Sequence, residues 1–149
     1  MKQEGCSKGE SRHCQYPGLG DYSLIGNCRS AALVSRYGSI DWCCLPEFHS
    51  PAVFSALLGG ERGGSFSIAL VDEFSSVQTY NDDTNLVETV FQTAGGEVKI
   101  TDAFVVGTEE EKTLSLFPDH EILRIVQCTS GSVQLKMEFS STMMHREER

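Results

Sequence analysis

Apolar positions alternate with polar ones over short stretches, and glycine-bearing turns separate the stretches. The last is the clearest: Val133, Leu135, Met137 and Phe139 alternate with Gln134, Lys136 and Glu138, so a strand over 132–140 has one dry face and one wet face. Comparable extended segments are read at 28–36, 39–45, 65–71, 76–81, 85–93, 97–106 and 120–129. Tyr37-Gly38 makes a tight hairpin of the first pair, because glycine accepts positive φ. Ala94-Gly95-Gly96 joins another pair as a hairpin, and Ser130-Gly131 joins the last two strands. Helical stretches long enough to separate parallel strands are missing, which counts against an α/β fold. The pattern predicts an all-β protein, an antiparallel β-sandwich with one short helix after the first hairpin.

That helix is expected at 52–58. Pro46 ends the hairpin because it cannot donate to a sheet ladder. Ser50-Pro51 then reads as an N-cap followed by proline at the first helical position. Val53, Leu57 and Phe54 would share the buried side, and Gly59-Gly60 would end the turn. Thr108-Glu-Glu-Glu-Lys112 reads as a solvated loop, and Asp82-Asp83 as a turn. Residues 1–18 are expected to be a flexible lead-in, 19–140 a single sandwich domain and 141–149 a frayed end.

The chain has 149 residues, enough for one domain burying roughly two-thirds of its unfolded surface. A formal charge of −9 with scattered basic residues disfavours nucleic acid and anionic membranes as partners, but does not penalise a neutral sugar. No apolar run is long enough for a membrane helix, and the N-terminus lacks the apolar core of a secretory signal. A cytoplasmic location is the expectation, with six reduced cysteines. Cys43, Cys44 and the others lack Cys-x-x-Cys spacing, so buried small hydrophobes are a better reading than a metal centre. Cys6, His13 and Cys14 sit in the polar lead-in.

Chemistry is hard to find in these residues. A glycosidase needs two carboxyl groups facing the scissile bond, about 6.5–9.5 Å apart in inverting enzymes. None of the 21 acidic residues stands in a context that singles out such a pair. Nucleophile elbows, His-Glu-x-x-His and phosphate-binding loops are absent, so no catalytic residue, metal site or cofactor is assigned. His120 at the head of a strand reads as a surface or hydrogen-bonded histidine. Trp42, beside Asp41, could stack on a sugar whose hydroxyls the carboxylate bonds, although a core tryptophan is the simpler reading. Phe48 and His49, at the tip of the proline-bounded loop, are better placed to touch a ligand or a neighbouring domain.

One stretch carries more than pattern. Ala31-Ala-Leu-Val-Ser-Arg36, Gly38-Ser-Ile-Asp-Trp42, Leu45-Pro46, Phe48 and Ser50-Pro51 closely resemble the opening of bacterial glucoamylase and trehalase-like enzymes of glycoside hydrolase family 15. Weaker echoes are 85–90, Val98-Lys-Ile-Thr-Asp102 and His120-Glu-Ile-Leu-Arg-Ile-Val126. The resemblance implies a trehalase-like N-terminal sandwich, part of a supersandwich, preceding an (α/α)6 barrel. That barrel hydrolyses α-glucosidic bonds with inversion and holds both catalytic glutamates, so neither maps onto this chain. The 46–51 loop is expected to approach the barrel's active-site mouth. Glu47 and His49 depart from the arginine and aspartate that the family commonly writes around Phe48. The implied role is a non-catalytic module; the alternative is a free-standing carbohydrate-binding or domain-docking module for α-glucan or trehalose. Since the family's sandwich would continue past this chain's end, sheet edges are expected to lie unpaired and to invite association.

Overall fold

The structure, a computed structural model, describes residues 17–114 and 120–141. Ten strands follow one another: β1 (Tyr22–Gly26), β2 (Ala31–Ser35), β3 (Ser39–Cys44), β4 (Ala52–Phe54), β5 (Ser65–Leu70), β6 (Ser75–Tyr80), β7 (Val87–Gln92), β8 (Gly96–Phe104), β9 (Ile122–Gly131) and β10 (Leu135–Ser140). They build two antiparallel sheets. One runs β1-β2-β3-β5-β10 with β4 added to β3, and the other runs β6-β7-β8-β9. The expected all-β sandwich is present. The described helices are α1 (Ala56–Gly59), α2 (Glu109–Leu114) and two 3-10 turns, none of them long and apolar enough to cross a membrane.

The first hairpin forms as its sequence implies. Gly38 adopts φ 86°, and a Cβ there would run into the carbonyl of Ile68. Apolar side chains from both sheets meet between them. Ile25, Ala32, Val34, Ile40, Cys43, Phe54, Val87 and Phe104 form one buried cluster, and Ile68, Leu70, Phe91, Val98 and Ile100 form a second. These rows follow the alternation of their strands.

Several expectations need correction. Tyr22–Gly26 is a strand that the pattern did not reveal, since five residues with adjacent Leu24 and Ile25 show no clean alternation. Ala52–Phe54 is extended rather than helical. It pairs with Cys43 and Cys44, and that pairing buries Phe54. Such a short apolar run fits either period, and the open flank of β3 decides. Ser50 caps no helix; its hydroxyl accepts the Glu47 N–H. The helix starts only at Ala56 and ends, as expected, where Gly60 takes φ 56°.

The acidic run is α2 and not a loop. Thr108 Oγ1 accepts the Glu111 N–H while the Glu111 carboxylate accepts the Thr108 N–H, a reciprocal cap whose Thr-x-x-Glu signature stands in the sequence. The Thr108 N–H and the Thr108 hydroxyl, both donating to it, pull the Glu111 carboxyl below its ordinary range.

The last two strands are no hairpin either. β9 ends on β8, with Gly131 opposite Gly96, whereas β10 pairs with β5 in the other sheet. The expected dry face of this segment is covered only in part: Val133 and Leu135 pack against the second cluster, whereas Met137 is 70% and Phe139 57% exposed. Cys43 and Cys44 are buried, and burial pushes the Cys43 thiol up to about 12, but Cys28 and Cys128 are exposed. Cys6, His13 and Cys14 lie outside the described residues, as do both expected tails except residues 17–18 and 141.

Candidate functional site

The sequence candidates occupy two places. Asp41 and Trp42 lie in β3, and Phe48 and His49 lie at the tip of the loop that follows it.

A bulge shapes the first place. Leu33 pairs with Trp42, yet Val34 pairs with Ile40, so Asp41 is the extra residue. Ile40 and Cys43 point into the core, which leaves Trp42 on the outer face. There it continues a row from Leu24 through Leu33 across three strands, and it is half-buried. Trp42 therefore belongs to the outer surface and not to the core between the sheets.

The Asp41 carboxylate is already occupied. One oxygen accepts the Tyr22 hydroxyl at 2.8 Å and the other accepts the Ser39 hydroxyl. The residue is only 9% exposed, so it ties β1 to β3 rather than reaching toward a ligand. Burial and the neighbouring carboxylate together push the Tyr22 phenol well above its ordinary value.

The second place is a clasp of two turns. Asn27 Oδ1 accepts the N–H groups of Arg29 and Ser30, which fixes the β1–β2 turn. The Ser30 hydroxyl reaches the Cys44 carbonyl, and Phe48 N–H donates to the Arg29 carbonyl at 2.9 Å. The loop itself closes through Ser50 N–H to the Glu47 carbonyl at 3.0 Å. Its backbone is thus held while its side chains face water. Phe48 is 55% exposed, and His49 Nε2 lies 3.3 Å from Glu47 Oε2. The two residues that depart from the expected loop wording pair with each other.

Sequence reading missed the strongest charged contact. The inward row of β8 reads Val98, Ile100, Asp102, Phe104, placing a carboxylate between the two apolar clusters. Arg124 on β9 stands opposite it, with Nε 2.6 Å from Asp102 Oδ1 and Nη2 3.3 Å from Oδ2. The guanidinium also donates to the Phe66 carbonyl at 2.7 Å and the Gly38 carbonyl at 2.9 Å, and it lies over the Phe66 ring. One side chain therefore neutralises a buried acid and binds the two sheets together. Burial pushes the Asp102 carboxyl up, and the adjacent guanidinium pulls against that shift. A signal was available, since a charge stood in the apolar row of each of two strands.

Asp41 and Asp102 are the acidic residues that the described fold buries, and both are committed to internal bonds. Among the described residues no group of three or more His, Cys, Asp or Glu side chains could hold a metal ion.

The family profile for trehalase-like N-terminal domains matches residues 13–143. The chain belongs to that family. The trehalase of Thermoplasma volcanium is 35% identical to this trehalase-like domain over 137 residues, covering 90% of the chain and 21% of that protein. The trehalase of Mycolicibacterium smegmatis is 30% identical over 136 residues, covering 82% and 20%. That of Thermoplasma acidophilum is 36% identical over 119 residues, covering 78% and 20%. The trehalase-like domain thus spans about a fifth of the length of these curated relatives. No solved structure matches it.

Proposed function

We propose that this chain is the non-catalytic N-terminal sandwich of a glycoside hydrolase family 15 enzyme of the glucoamylase and trehalase type. In this reading an (α/α)6 helical barrel supplies both catalytic carboxylates and cleaves an α-glucoside such as trehalose. The observation that carries it is proportion: most of this chain aligns with relatives named trehalase, yet it covers only about a fifth of them. The fold is consistent with the assignment, because its two buried acids are tied up in internal hydrogen bonds. The clasped loop with Phe48 and His49 is the surface offered to the barrel, supported by its fixed backbone and outward side chains. Four thiols without disulfide partners agree with a cytoplasmic setting.

The purified chain, assayed with trehalose and maltose, is expected to release no glucose. Addition of a relative's helical portion, expressed separately, should bind the chain, and Phe48→Ala should weaken that binding. Glucose release by the chain alone, abolished by substituting one of its own carboxylates, would overturn the reading. The carbohydrate-binding alternative draws support from the Leu24, Leu33, Trp42 row. It requires saturable α-glucan binding that Trp42→Ala weakens without unfolding the protein.

A further inference from the structure

We draw no further inference here: the strongest candidate, the apolar row of Leu24, Leu33 and Trp42 on the outer face of β1, β2 and β3, carries none because nothing in the structure shows what covers it.

Discussion

The two long sides of the sandwich are closed by different means. On one side β6 faces β1, and alternate residues of β6 reach across to the first sheet. The Ser76 carbonyl accepts Arg36 Nη2 at 2.9 Å, and Gln78 bonds Ser23, the Val34 carbonyl and Thr89. The Tyr80 hydroxyl takes both the N–H and the C=O of Leu24, and Asn85 Nδ2 donates to the Gly26 carbonyl. The outward backbone groups of β1 are therefore largely filled by side chains. On the other side β9 and β10 end the two sheets, and Arg124 reaches across to Gly38 and Phe66. There Leu123, Ile125, Val126, Met137 and Phe139 remain between 42% and 70% exposed. Polar side chains fill the edge of β1, whereas the β9 and β10 side keeps exposed apolar residues among the described ones.

The largest way to break this contrast is Arg124→Met. It leaves Asp102 buried without a counter-charge and removes the tie between the sheets, which should cost about 3–5 kcal/mol in denaturant unfolding. Adding Asp102→Leu should recover much of that loss, because the penalty resides in the orphaned carboxylate. No recovery would show that the tie to Gly38 and Phe66 matters more than the charge.

Tyr80→Phe acts on the closed side and should be milder. Water can replace the hydroxyl at an exposed edge, so the loss is about 1 kcal/mol. The revealing readout is association: the variant should gain concentration-dependent self-association through β1 that the parent lacks. An unchanged association state would mean that Tyr80 adds stability without guarding the edge.

The smallest effect concerns the far end of β9. Thr129 Oγ1 donates to Glu97 Oε1 at 2.6 Å, and Gln92 Nε2 to Oε2 at 3.0 Å, and both pull the Glu97 carboxyl below its ordinary value. A lowered folded value means the contribution is present above the ordinary carboxylate range and is lost as pH falls through the folded value. Glu97→Gln should therefore lower stability slightly at neutral pH and flatten the acid side of the profile, the two proteins converging at low pH. Equal slopes in parent and variant would remove Glu97 from the account.

Legibility in the sequence was uneven for physical reasons. The Tyr37-Gly38 hairpin was readable because positive φ is a local demand. The β6 segment was readable as a strand, but not which of its faces would turn inward. Val77 is 64% exposed, and Ser76, Gln78 and Tyr80 turn inward, because hydrogen bonds to the other sheet outweighed one valine's burial. Of the candidate site, the exposed Phe48 and His49 were legible from the loop's prolines. The occupied state of Asp41 was not, since a bulge set by pairing with β2 aims it at Tyr22.

By itself the sequence determined most of the strand series, the glycine turns that separate it and the family that its first sixty residues announce. Those features depend on neighbours a few positions away. Only the tertiary structure decided that β9 and β10 part into different sheets, that Asp102 finds Arg124, and which sides are sealed. Such choices rest on partners far apart in the chain, 86 residues in the case of Arg124 and Gly38. Alternation says that a face is buried; it does not say what against.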